Sequence, residues 1–327
     1  MYLRFVVKLF LGNRSGILVV LPFVIAIYVA CNLYMQVHLP VENAYFGFWG
    51  PFLDETNLVS QLIAPVLIFF VAIVLNVIFN RQDFREKNTY VLALVFVVAQ
   101  SFFHHFYYLT GFGIAQLLLA LSMLQIFRMD QNTDGRKQVF NASFLMGVAM
   151  SFYPPLLVGI PFVFTIIWVL RPFVFRESAL MVVGIAVPLV YAGVFVRITS
   201  LDLEMADLSH AMRDWRLIDL FVVGGAILLM TFIAIPGVLQ KISQSSIRLK
   251  KLFRIIVFTM LLVAAVVAVE ILLLKNIEPV TLVMVPLAFI LSYSFGTKKQ
   301  YAVPTAIFYI LFIFSVGKFF FQQYLTL

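Results

Sequence analysis

Residues 139–171 read VFNASFLMGVAMSFYPPLLVGIPFVFTIIWVLR, and how often this stretch crosses a bilayer decides the architecture. It is apolar almost throughout. As one helix it would run about 50 Å at 1.5 Å per residue, against a hydrocarbon core of about 30 Å. Pro154 and Pro155 stand at its middle, and paired prolines remove two backbone donors and break a helix. The stretch is either a tight hairpin with two crossing arms or one long, broken span.

The rest of the chain sets the context. Of 327 residues, 63% are hydrophobic and 12% charged, where a soluble domain carries about 25% charged residues. The mean hydropathy is +1.04. Runs of about 18 or more apolar residues read as membrane spans, and such runs recur from end to end. The predicted spans are 15–36, 59–79, 89–104, 110–127, 139–153, 155–170, 178–196, 218–238, 255–274, 279–295 and 302–321. The expected fold class is all-α, a polytopic integral membrane helical bundle forming a single transmembrane domain over 1–327. It has about 11 transmembrane helices, or 10 if 139–171 crosses once.

Charge chooses between the two. Cytoplasmic loops carry the excess of Lys and Arg. With a hairpin at 139–171, 18 of the 23 basic residues fall on the cytoplasmic side; with one crossing, only 14 do. The hairpin is therefore predicted, with the N-terminus cytoplasmic and the C-terminus periplasmic. The acids were not used in that choice, and they agree. Five fall inside and ten outside, so the inner face nets +13 and the outer face −5. The overall +8 thus reports orientation in the cell inner membrane. No basic face is left free of membrane, which excludes nucleic acid as a partner. Cys31, the one cysteine, forms no intrachain disulfide. The apolar run before it is expected to be a retained helix rather than a cleaved signal. Pro65, Pro188, Pro236 and Pro286 are expected to interrupt further spans.

No phosphate-binding loop, nucleophile elbow or H-E-x-x-H helix occurs, which argues against a nucleotide-hydrolysing engine. Polar groups instead gather on the outer side. The outer loop 37–58 holds His38, Glu42, Asp54 and Glu55 among Tyr45, Phe46, Phe48 and Trp49. A second outer turn carries His104 and His105 ahead of three aromatics, and the outer loop 197–217 carries Asp202, Glu204, Asp207, His210 and Asp214. Asp54 and Glu55 are the catalytic candidates, since neighbouring carboxylates act as general bases or hold a divalent cation. Imidazoles bind metal or shuttle protons, which singles out His104, His105 and His210. Their spacing assigns no metal, and no cofactor is identified.

Trp49, Arg197, Arg213 and Arg216 are candidates for contacting substrate on the same face. Met205, Leu208, Met212, Trp215 and Ile218 recur every three or four residues, the pattern of an amphipathic helix lying at the interface. Glu270 is the acid inside a span, one turn from the outer boundary. Such a group is a functional candidate, or it snorkels outward. On the inner face, Arg171 and Arg176 flank a proline-stiffened turn that can grip a phosphate or simply set orientation. The basic run Lys241 to Arg254 attracts anionic lipid headgroups.

The stretch from Phe140 to Pro188 carries a resemblance. It reads Phe140-Asn141-Ala142-Ser143-Phe144, Gly147, Ser151-Phe152-Tyr153-Pro154-Pro155, then Arg171-Pro172-Phe173, Arg176-Glu177, Gly184 and Pro188. This resembles an uncharacterised family of polytopic inner-membrane proteins of Bacteroidota, a domain of unknown function covering nearly the whole chain. More coarsely, the architecture is similar to the polyprenyl-phosphate-dependent glycosyltransferases called GT-C. That resemblance implies an outward-facing site, carboxylates near Asp54 and Glu55 positioning acceptor or metal, and basic groups on a lipid phosphate. The expected partners are the bilayer, a polyprenyl-phosphate or anionic lipid, and other envelope proteins. Three functions compete: a transferase acting on lipid-linked sugar or another envelope lipid, a non-catalytic scaffold in an envelope complex, and a transporter or flippase.

Overall fold

The computed structural model describes residues 5–12, 15–35, 46–50, 57–129, 134–170, 173–199, 217–274, 278–295 and 302–325. Among these, every regular element is a helix. A short α1 (Phe5–Phe10) precedes α2 (Val20–Met35), which a 3-10 turn at Ser15–Val19 leads into. There follow α3 (Leu58–Arg81), α4 (Val91–Gln100), α5 (Gly111–Phe127) and α6 (Arg136–Phe152). A 3-10 segment at Pro154–Gly159 opens α7 (Ile160–Leu170), and then come α8 (Phe175–Thr199) and α9 (Leu217–Gln244). The last three are α10 (Ile247–Val269), running on as a π-helical turn at Glu270–Leu274, α11 (Met284–Leu291) between two 3-10 segments, and α12 (Ala302–Leu325). Each of the eleven apolar runs corresponds to one helical segment. Six are long and apolar enough to cross a bilayer: 16–35, 58–81, 175–199, 221–244, 247–272 and 303–320.

Long-range contacts give the direction of several segments. At one end, the Leu109 backbone N–H donates to Ser60 Oγ, Trp49 Nε1 to Ser151 Oγ, and Lys318 Nζ to the Ser101 carbonyl. At the other, Tyr90 N–H donates to the Phe10 carbonyl, Gln82 Nε2 to the Phe127 carbonyl, and the Tyr293 hydroxyl to the Phe84 carbonyl. Consecutive helices therefore shuttle between two ends.

The decisive pair is α6 and α8. A Cβ on Gly184 would meet Ser143, and one on Gly147 would meet Ile185. Trp49 touches both Phe152 and Phe195, at the C-terminal ends of the two helices. So α6 and α8 run parallel, and the chain between them reverses. The reversal falls at Tyr153 (φ −138°, ψ 86°) and the two prolines, which have no backbone N–H to continue α6.

All ten residues of α4 are buried. A helix hydrophobic on every side belongs in the middle of a bundle, and α4 packs on α3 and α11 there. The outer helices instead leave apolar side chains exposed: Phe221, Leu228 and Phe232 on α9, Val190 and Tyr191 on α8, Ile310 and Ile313 on α12. In water such faces would be liabilities; against lipid they are the expected surface. One expectation is corrected. Pro65, Pro188 and Pro236 lie inside the continuous helices α3, α8 and α9. Within a bundle, neighbouring helices and local adjustment satisfy the carbonyl that a proline frees. Pro286, in the first turn of α11, sits where its missing N–H costs little.

Candidate functional site

The end of the bundle that holds Trp49 gathers the polar side chains. It begins with a turn at 46–50, where Gly47 and Gly50 adopt φ of +62° and +68°. A Cβ on Gly47 would lie 2.5 Å from the Ser151 carbonyl oxygen, so only glycine lets this turn sit on the end of α6. Docked there, Trp49 donates to Ser151 Oγ at 3.0 Å, stacks on Phe152 and leans on Phe195. The Ser151-Phe152-Tyr153-Pro154-Pro155 string is thus the seat of the 46–50 turn as well as a helix break.

Beside it, the short turn 101–110 folds the two histidines apart. His105 is buried, with Nε2 2.9 Å from Gln100 Oε1 and its ring against Phe103 and Phe112. His104 lies nearer the surface, stacked on Tyr108. Gln100 also donates to the Thr281 carbonyl at 3.4 Å, tying α4 to the head of α11.

The third component is Lys318 of α12, 6% exposed. Its Nζ donates to the Ser101 carbonyl at 2.7 Å and stands 4.9 Å over Phe102, 5.0 Å over Phe319 and 5.6 Å over Tyr107. The Tyr107 hydroxyl donates to the same carbonyl at 2.6 Å, and burial pushes its pKa well up, so it stays a neutral donor. A charge-assisted hydrogen bond and three ring faces together hold the ammonium in place. Glu270 is also buried, 1% exposed, at the start of the π-helical turn. π-helical turns inside α-helices recur at functional sites.

The candidates read from the sequence divide between the two ends. Trp49, His104, His105 and Glu270 lie at this one. Arg197 is exposed in the last turn of α8, two residues beyond the Phe195 that Trp49 touches. Arg176 is exposed at the start of α8, at the opposite end. Asp54, Glu55, Arg171, His210, Arg213 and Arg216 lie outside the described residues, as does 205–216 of the expected amphipathic helix. Among the described residues, no three His, Cys, Asp or Glu side chains gather as metal ligands.

Sequence reasoning missed Lys318 and Gln100. Lys318 stands in an otherwise apolar run, which was signal enough to find it. Gln116 is fully buried in α5, and both polar atoms of its amide lack a hydrogen-bond partner among the described residues.

Long apolar helices around a wholly buried central helix, with ionisable side chains sunk into one end, define an all-α integral membrane protein. The chain belongs to a family of unknown function (DUF6427), whose model matches residues 53–327. Comparison with curated proteins and with solved structures gives no match.

Proposed function

We propose that this chain is a multi-pass protein of the cell inner membrane that handles a phosphate-bearing envelope lipid at its periplasmic end, in the manner of a GT-C-like transferase. In this reading the chain crosses eleven times and 139–171 forms two crossing arms. The 46–50 end faces the periplasm, because that orientation leaves the basic loops in the cytoplasm. The observation that carries the reading is Lys318, a buried cation at the same end of the bundle as Trp49. It supplies the basic group for a lipid phosphate that Arg197, on the surface, does not supply alone. Asp54 or Glu55 then acts as base or metal ligand, and Trp49 forms an aromatic wall on which a sugar ring stacks.

Complementation of a deletion strain tests this. Asp54→Asn with Glu55→Gln, and separately Lys318→Met, are expected to abolish rescue while the protein remains in the membrane; Lys318→Arg restores part of it. Full rescue by Asp54→Asn with Glu55→Gln refutes the chemistry and leaves a scaffold role in an envelope complex. The buried Glu270 on a π-helical turn favours a second reading, a transporter or flippase with Glu270 on its path. That reading requires Glu270→Gln to stop flux; unchanged lipid flipping or uptake removes it.

A further inference from the structure

The opposite end of the bundle holds a cavity of about 380 Å³ between the α3–α4 loop, the last turns of α9 and the end of α11. Small-ligand sites run from about 300 to 1,000 Å³. Its polar lining is strongly biased. Arg85, Lys87 and Lys241 approach it from two separate elements, with the amides of Gln240 and Gln244, against one carboxylate, Glu86. Glu86 and Lys87 are exposed on the rim, while Arg85 and Lys241 are half-buried. None of the three cations forms an ion pair among the described residues.

The walls are fixed before any ligand arrives. The Tyr293 hydroxyl holds the Phe84 carbonyl. Thr89 N–H donates to Asn80 Oδ1 at 3.1 Å, and Tyr90 N–H to the Phe10 carbonyl at 2.8 Å. Arg85 Nη2 reaches the Phe295 carbonyl at 3.5 Å, which leaves most of its five N–H donors for another partner. Half-buried cations with no ion pair among the described residues, set in a preformed concavity with amide donors beside them, are the ingredients of an oxyanion site.

We propose that this cavity binds a phosphate group. The bearer is either the headgroup of an anionic phospholipid in the adjoining leaflet or a free phosphate from the aqueous side. The site is independent of the proposed transferase end. Arg85 gives the planar, forked contact and Lys241 the point charge across from it, while Lys87 raises the local potential at the mouth.

Binding by the full-length protein is measured in neutral detergent with inorganic phosphate against chloride at matched ionic strength. It is measured again in nanodiscs of phosphatidylglycerol against phosphatidylcholine. Stabilisation by phosphate in detergent assigns the free anion; stabilisation by phosphatidylglycerol alone assigns the headgroup. Arg85→Gln with Lys241→Gln is expected to weaken whichever binding is seen by roughly tenfold or more, the effect of losing hydrogen bonds to a charged group. Lys250→Gln with Lys251→Gln, adjacent in sequence but outside the cavity, should change it less than about threefold. Gln244→Glu, an exposed rim substitution that leaves the packing intact, is expected to weaken binding as strongly as the cavity pair and serves if that pair fails to fold. No response to either phosphate or phosphatidylglycerol overturns the proposal. So does an equal loss in the Lys250 and Lys251 pair, which would mean diffuse charge rather than a site.

Discussion

Replacing Gly147 by alanine tests the parallel packing of α6 on α8. A Cβ there would stand 2.7 Å from the Ile185 carbonyl oxygen, 3.0 Å from its Cα and 3.2 Å from its carbonyl carbon. All three are backbone atoms and no rotamer change relieves them, so the helices must part by about 0.7 Å to reach ordinary contact. Overpacking of this kind costs about 1–3 kcal/mol. Alanine also returns about 0.8–1 kcal/mol of helix propensity over glycine, which masks part of the penalty. Gly193, on the exposed side of α8 with nothing within 4 Å of an added Cβ, supplies the control: Gly193→Ala collects the propensity gain alone. The difference between the two variants is then the overpacking, about 1–3 kcal/mol. At about 2–4 °C per kcal/mol for domains of 150–250 residues, Gly147→Ala should melt several degrees below Gly193→Ala. The lone thiol, Cys31, half-buried on α2, reports unfolding through a thiol-reactive dye in detergent. Gly184→Ala, whose Cβ would lie 2.9 Å from Ser143 Cβ, should behave like Gly147→Ala. If Gly147→Ala melts at or above the Gly193→Ala control, the close parallel contact is wrong, and with it the reversal at 153–159.

Trp49→Phe removes the 3.0 Å bond to Ser151 Oγ and is expected to cost about 0.5–1.5 kcal/mol; added to Ser151→Ala it should cost little more, and full additivity in the melts would show that the bond contributes nothing. Gly47→Ala combines a left-handed backbone, about 1–2 kcal/mol for a non-glycine residue, with overlap on α6, so proteolysis near residue 50 should accelerate sharply. In a Cys31→Ser background, Arg197→Cys and Lys87→Cys lie at opposite ends; a membrane-impermeant maleimide on intact spheroplasts should label only Arg197→Cys, and labelling of both or only Lys87→Cys refutes the orientation.

Much of the architecture was legible because lipid imposes a simple rule. Backbone polar groups must be satisfied internally, so every long apolar run became a helix, and the double proline became the reversal. The isolated prolines were misread because a helix in a bundle runs on through a lost hydrogen bond, at the buried Pro65 and Pro188 and at the exposed Pro236 alike. The glycines of the Phe140–Pro188 stretch were visible as a pattern but not as a contact; their role needed the partner helix. Lys318 was the larger omission. Its ammonium is held by Ser101, Phe102 and Tyr107, more than 200 residues away in sequence, and no local spacing announces that. The paired histidines could be seen, but not that His105 turns inward to Gln100 while His104 turns outward to Tyr108.

The two short central helices explain why polar groups converge where they do. α4 has 10 residues, about 15 Å of α-helix or half a hydrocarbon thickness of about 30 Å, and α11 keeps only 8 α-helical residues within a 279–295 run that 3-10 turns complete. Where such helices stop, the surrounding longer ones continue, and the space left is filled by turns and side chains rather than by lipid. At one end of this pair Gln100 meets the Thr281 carbonyl, with His105 beside it and Lys318 on the adjoining turn. At the other end Thr89 and Tyr293 line the basic cavity. The backbone at these ends needs hydrogen-bond partners that neither lipid nor a continuing helix provides, so polar side chains are recruited there. The same recruitment that completes the fold places ionisable groups at both ends of the bundle, His105 and Lys318 buried at one and Arg85 and Lys241 half-buried at the other.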